Sequence, residues 1–579
     1  MRLKTFLNFA ILSLTIFLAG SMIFLFVTAP KSYVIFLLYI ALTVLIASTI
    51  SGKTFSFRIS LKWHVYTLHL SLILVALALI IMQITNVYFE MLKAILYIVV
   101  FIFGLGFSIL NILKFRSSFS RIEIITLIYP VSLATIAIIG TIMLILPSNS
   151  RGLIMMIVVT LLLLMSLFTT LKRKRNENDS QYILLKNEGL ILSVLLISFT
   201  YFYLELYPNI SHLLGLDIAR NFLYALSWTK DTPNFFRTRS LYPLFHIFHS
   251  SVLYIIGPSV EIFQFLTVFF NIFTILTFYA MASQYLKKYG NEVAAIATLI
   301  WAAFSGFGWL NFMQKKISNP ESSTLSLIGQ ANIYSYGDIT WRRLFFNLSM
   351  EASLTLTFAL LYLLKRNDLL AKRLIPLMVL LIVPLPLIHP YATYFLFSVL
   401  ISLAIIGPIN LKPQIKYFAL SIFMALPISI LLNYILFIKA PSISVNYLTY
   451  LEFLLVGLVL LLVIDLRSKT QKNLTGIKGK ILRNKYSGIL IVSLLLTLYL
   501  SPMLLWFSGQ LHYNFFDLGL NRSGYVPWLL YPVKIGIAGI LAIMAVYLIF
   551  WRTQTDMEET VAILVSAILM ILISRLISV

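Results

Sequence analysis

The sequence predicts an all-α polytopic membrane protein: a helical bundle with long loops on one face, preceded by an extra block of six helices. Three observations predict it. The 579-residue chain is 60% hydrophobic and only 11% charged, with a mean hydropathy of +0.95. That is too little charge to cover the surface of a soluble domain. Apolar runs of about 20 residues recur along the chain, each long enough to cross roughly 30 Å of hydrocarbon as a helix whose backbone bonds are satisfied internally. Lys and Arg outnumber Asp and Glu by 44 to 20, and most of them fall in short segments between the runs. The runs do not alternate as β-barrel strands would.

The apolar run at the N-terminus continues to about Val27, too long for the core of a signal peptide, so it reads as a retained first helix. Further helices are expected near 33–50, 64–86, 92–113, 123–146 and 152–171. The basic patch Lys172 to Arg175 and the polar stretch after it mark a boundary. It separates an N-terminal block, 1–175, from a second unit, 176–579. In the second unit, about 11 helices are expected near 189–206, 259–285, 292–312, 346–365, 374–388, 391–407, 416–438, 447–465, 486–507, 531–550 and 558–575.

With the N-terminus in the cytoplasm and one crossing per helix, most of the basic residues fall on the cytoplasmic side. The net charge of +24 then reflects this bias and not nucleic-acid binding. Counting the apolar stretch 241–257 as a span would put Lys287, Lys288 and Lys365 to Arg373 outside. It is therefore expected as an amphipathic helix lying on the outer surface, with His246 and His249 three apart on one face. Long outer loops remain near 207–258, 313–345 and 508–530. They carry basic residues and histidines, including His212, Arg220, Arg237, Arg239, Arg342 and Arg343, with His389 at the outer end of a later helix. Asn-x-Ser sequons at Asn209 and Asn521 fall on the same face. With no cysteine there is no disulfide or thiol chemistry. Nucleotide-binding, zinc-protease and serine-hydrolase signatures are also missing.

The first long loop opens with Asp217 just beyond a helix, followed by an amphipathic stretch with Arg220, two arginines and a Tyr-Pro helix. A second holds YSYGDITWRRLFFNLSMEASL, and a later helix ends in Leu387-Ile388-His389-Pro390. In order and sidedness this arrangement, from about Gly189 into the 390s, resembles the GT-C superfamily of membrane glycosyltransferases. Its members include protein mannosyltransferases, aminoarabinose transferases and oligosaccharyltransferases. The resemblance implies a GT-C-like bundle that transfers a sugar from a polyprenyl-phosphate-linked donor to an acceptor on the extracytoplasmic face, in contact with membrane lipids. Asp217 is the position that matches the acidic residue opening the superfamily's first external loop.

In such a reaction a carboxylate accepts or orients the acceptor's proton. Asp217 is the candidate, with Asp338 as the second acid, and Asp217 also suits a helix cap. The leaving phosphate needs fixed cations. Arg342 and Arg343 lead, with Arg220 and His389 beside them, because a guanidinium grips phosphate oxygens in pairs. The superfamily often carries two neighbouring acids, whereas Ile218 and Ala219 follow Asp217 here. Mn²⁺ or Mg²⁺ on Asp217 with Asp338, His212 or His246 therefore stays open. Glu351 and Glu452 are acids inside expected helices, where a cavity or a partner normally accounts for them. Two other readings compete: a transporter or flippase of lipid-linked sugars, and a non-catalytic membrane scaffold with the same fold. The transporter would show related halves and buried charge near the midplane.

Overall fold

The computed structural model describes residues 57–60, 65–85, 90–115, 121–172, 182–185, 191–197, 200, 216–231, 242–303, 317–322, 349–366, 369–405, 411–440 and 450–466. The helices expected at 5–28, 33–50, 486–507, 531–550 and 558–575, and the loop at 508–530, lie outside the described residues. The chain first forms α1 (Val65–Ile84), α2 (Glu90–Ile112), α3 (Arg121–Met143) and α4 (Ser148–Lys172). Then come α5 (Leu216–Trp228), α6 (Pro243–Ile256), α7 (Val260–Tyr285), α8 (Asn291–Ala303) and α9 (Ser349–Leu364). The described part ends with α10 (Ala371–Ile388), α11 (Pro390–Ile405), α12 (Lys412–Lys439) and α13 (450–466). These bounds follow the apolar runs to within a few residues, except α5, which falls inside the expected 207–258 loop, and α8, whose described part stops at Ala303; of the helix expected at 189–206 only 191–197 and 200 are described, as helix.

The chain is an integral membrane protein of the all-α class. Five helices are long and apolar enough to cross a membrane: α2, the Glu123–Met143 part of α3, α4, α10 and α12. Their outer surfaces make the same point. On α1, Leu70, Leu74, Leu77, Ile81 and Ile84 form one exposed stripe, and on α12 Met424, Leu431, Tyr434 and Ile438 form another. Contiguous apolar stripes of this kind are a liability in water and the expected surface in hydrocarbon.

One element was not foreseen. Phe57–Ser60 (β1) and Tyr182–Leu185 (β2) pair antiparallel, Phe57 opposite Leu185 and Ser60 opposite Tyr182. Four helices separate them, an even number of passes, so both segments return to the same end of the bundle and can meet.

The composition break after Lys172 is not a break in packing. One apolar core runs from Leu72 to Ile464. α3 packs against α6, α7, α9, α10 and α12 as well as its sequence neighbours, and among the five long helices it is the most enclosed. Pro130 lies inside it and cannot donate to the Thr126 carbonyl. The Thr277 hydroxyl of α7 lies 3.1 Å from that carbonyl and shares its proton between it and the Phe273 carbonyl at 2.7 Å, partly replacing the bond that a dry interior demands. α2 approaches α3 closely at Gly106, where a Cβ would stand 2.2 Å from the Ile128 carbonyl oxygen. Just before it, α2 widens into a π-turn over Ile98–Gly104. There the Ser132 hydroxyl of α3 donates to the Ile102 carbonyl at 2.7 Å. Small residues that let backbones touch are the usual means of joining helices where lipid removes the hydrophobic drive.

An ion pair marks each end of α3. At its start Glu123 accepts from Arg366 (2.8 Å) and from Gln284 of α7 (3.1 Å). Arg366 also bonds the Tyr362 hydroxyl. Beyond its other end Arg151 of α4 pairs with Asp231, which follows α5. Asp231 Oδ2 also accepts from the Ser148 backbone N–H (3.0 Å) and hydroxyl (2.7 Å), capping α4 from another part of the chain. The Ser148 bonds, and then the charges of Arg151 and Lys439, hold the Asp231 carboxyl below the ordinary aspartate value.

Two outcomes follow. Gly106→Val meets backbone atoms and is expected to cost at least about 3 kcal/mol, read as a lower melting temperature in detergent. Gly104→Ala meets mainly flexible Leu72 and Leu163 side chains at 3.3 Å and is expected to be mild. Because the Asp231 carboxyl is depressed in the folded state, its contribution is full above the ordinary aspartate value and is lost as pH falls through the lower folded one. The melting-temperature gap between wild type and Asp231→Asn is therefore expected to be constant from neutral pH down to about pH 4 and to close below that. A gap that widens on acidification contradicts the pairing.

Candidate functional site

α6 explains how one end of the bundle is built. It was expected on the surface with one face in water. Instead every residue from Pro243 to Ile256 is buried apart from Tyr254, which is partly so. Its polar residues, His246, His249, Ser250 and Ser251, are all buried in the bundle. Its contacts show that it lies across the ends of four helices. The Tyr254 carbonyl accepts from Gln83, in the last turn of α1, at 3.3 Å. Ser251 meets the Tyr97 hydroxyl of α2 at 3.5 Å. Ile247 packs on Gly140 near the end of α3, and the Tyr254 backbone on Gly152 near the start of α4. This is the end that holds Arg151 and Asp231, opposite Glu123 and Arg366.

α5 lies against α6. Its buried face carries Asn221, Phe222, Ala225 and Trp228, while Arg220 and Leu223 are exposed. Asp217 falls in its first turn. One turn further on, Asn221 Oδ1 meets His246 Nε2 at 3.1 Å, and Tyr224 lies at 4.9 Å between ring centroids from His246. The Ser250 hydroxyl lies 2.8 Å from both the Ala225 carbonyl of α5 and the His246 carbonyl of its own helix and shares its proton between them, so α5 and α6 are joined by two polar contacts.

The start of α6 reaches the turn between α10 and α11. Tyr242 stacks on His389, with ring centroids 4.7 Å apart. The His389 carbonyl accepts from the Ser353 hydroxyl of α9 at 3.2 Å, and Glu351 is buried two residues earlier on the same helix. Contacts thus run from α5 through Asn221, His246, Tyr242 and His389 to α9. Pro390 ends the backbone bonding of α10 and starts α11, and the His389 carbonyl accepts from the Ser353 and Thr393 hydroxyls.

Three of the residues nominated from sequence, Asp217, His246 and His389, therefore belong to adjoining elements at one end, with Arg220 exposed beside them. His246 is engaged with Asn221 and enclosed by Phe245 and Tyr224, and His389 is held by Tyr242 and α9. His212, Asp338, Arg342 and Arg343 lie outside the described residues, as do Arg237, Arg239 and the Asp217 side chain. Among the described residues no three of His, Asp and Glu gather as metal ligands. Sequence reasoning passed over Arg151, Asn221, Tyr242 and Asp231. Asn221 carried a signal, being four residues after Asp217 and so on its helical face. Arg151 carried no such signal, being one charge in a short segment between two apolar runs. Family models, curated proteins and solved structures contain no match to this chain.

The Asn221–His246 contact is expected to show as coupling. Asn221→Ala is expected to lower stability by about 1 kcal/mol. In a His246→Phe background most of that loss is expected to disappear, as measured by a double-mutant cycle of melting in detergent. Additive effects would show that the contact carries no energy.

Proposed function

We propose that the protein is a membrane glycosyltransferase of GT-C type. It moves a sugar from a polyprenyl-phosphate-linked donor to an acceptor on the extracytoplasmic face. The observation that carries this reading is the meeting of α5, α6, the His389 turn and the start of α9 at one end of the bundle, away from the end rich in basic residues. Lys114, Arg121, Lys287, Lys365, Lys372 and Lys412 lie at that opposite end, which the charge bias makes cytoplasmic. A lipid-linked donor stays in the membrane while its phosphate and sugar sit at the interface, so the site belongs at a helix-end layer.

In this reading the acceptor oxygen or nitrogen attacks the anomeric carbon. The bond from that carbon to the phosphate oxygen breaks, and polyprenyl phosphate leaves with the electron pair. Asp217 takes the acceptor's proton. Arg220 is the exposed cation on the same helix, and Arg342 and Arg343 are the further candidates for the phosphate charge. His389 acts by holding α6 against α9.

The test uses purified protein in liposomes with a synthetic polyprenyl-phosphate hexose and a membrane extract as acceptor source. Release of polyprenyl phosphate is followed. Asp217→Asn is expected to lower the rate by about 10²–10⁴-fold with an unchanged melting temperature. Wild-type turnover in that variant would remove Asp217 from the reaction. Protein that moves the intact donor between leaflets without cleaving it would establish the transporter instead.

A further inference from the structure

The role of the first helices follows from one side chain. Arg151 begins α4, at a turn between two membrane helices, yet is only 1% exposed. Burying a guanidinium is costly unless its donors are met. Its Nε donates to the Leu146 carbonyl at 2.9 Å and Nη2 to the Leu144 carbonyl at 3.4 Å, both in the α3–α4 turn. Nη1 donates to the Trp228 carbonyl at the end of α5 (3.3 Å) and to the Tyr254 hydroxyl of α6 (2.8 Å). Nη2 also reaches Asp231. Tyr254 closes the set by donating to the same Trp228 carbonyl at 2.7 Å. One planar fork thus joins the N-terminal helices to both helices of the candidate site, a geometry that lysine's three donors on a flexible stem do not reproduce.

We infer that Arg151 is a positioning residue, through which the N-terminal helices fix α5 and α6 and so set Asp217 and His246 relative to each other. α5 is a rigid lever. Trp228, at its anchored end, is eleven residues from Asp217, roughly 16 Å along the axis, so a tilt at Trp228 displaces Asp217 most. The catalytic consequence rests on the proposed transferase; the anchoring itself does not.

The chain contains no cysteine, so a single introduced thiol reports without background. Ser250 is fully buried and bonds the Ala225 carbonyl across the α5–α6 contact. Ser250→Cys in the purified, detergent-solubilised full chain is treated with a maleimide below the melting transition. It is expected to be protected. Adding Arg151→Met is expected to speed labelling by about tenfold or more, the order that losing a bond to a charged group brings to a local opening. Arg151→Lys is expected to restore part of the protection. Glu123→Gln, at the opposite end, is expected to leave labelling unchanged. If Arg151→Met does not yield folded protein, Tyr254→Phe and Asp231→Ala each remove one arm, and each is expected to speed labelling severalfold.

Unchanged labelling in all Arg151, Tyr254 and Asp231 variants overturns the inference. An equal rise with Glu123→Gln also overturns it, because that result describes general loosening. If the Arg151 variant opens the contact while Asp217→Asn keeps full donor turnover, the positioning role stands and the transferase reading fails.

Discussion

α3 is pinned at both ends, and most of the structure is arranged by that fact. At one end Glu123 meets Arg366, Tyr362 and Gln284, which draws the ends of α7 and α9 to its start. At the other, Arg151 and Asp231 tie the α3–α4 turn to the segment after α5. Hydrocarbon offers charged groups no partner, so charges collect at the two ends of the bundle and settle which chain segments meet there. Between the ends, α3 holds its neighbours by close approach and by side-chain bonds to freed carbonyls, as Gly106, Ser132 and Thr277 show.

The end layers differ in kind. Around Glu123 the layer is a set of short turns rich in Lys and Arg, with Arg373 donating to the Lys114 carbonyl and Lys365 over the Tyr285 ring. Around Arg151 two helices lie over the bundle: α6 crosses four helix ends and α5 covers it. The buried polar groups there, Asn221, His246 and His389, are each bonded or stacked across elements.

The helices were legible because their apolar runs match the hydrocarbon thickness, and Pro130, Pro376 and Pro427 did not mislead the reading. Neighbouring side chains repair the gap at Pro130, and the helical run carries on past the others. The gathering of Asp217, His246 and His389 at one end was legible from chain parity alone. What escaped notice depends on partners distant in sequence. The stretch 243–256 looked like a surface helix because counting it as a span would have put Lys287, Lys288 and Lys365 to Arg373 outside; it is buried at the bundle end instead, with Asn221 bonding His246. β1 and β2 are over a hundred residues apart, and neither shows a strand pattern strong enough to stand alone. Arg151 needed the positions of Trp228, Tyr254 and Asp231 before its burial made sense. The polar break after Lys172 is local in sequence, whereas the apolar core extends on both sides of it.

The central claim is that the layer formed by α5 and α6 faces the outside of the cell and the Lys- and Arg-rich layer faces the cytoplasm. The cysteine-free chain makes it directly measurable. Lys230 follows α5 and Lys372 begins α10; both are exposed, at opposite ends. A membrane-impermeant maleimide is predicted to label Lys230→Cys in intact cells and Lys372→Cys only after permeabilisation. Labelling of Lys372→Cys but not Lys230→Cys in intact cells would contradict the orientation, and labelling of both from one side would contradict the fold that separates them.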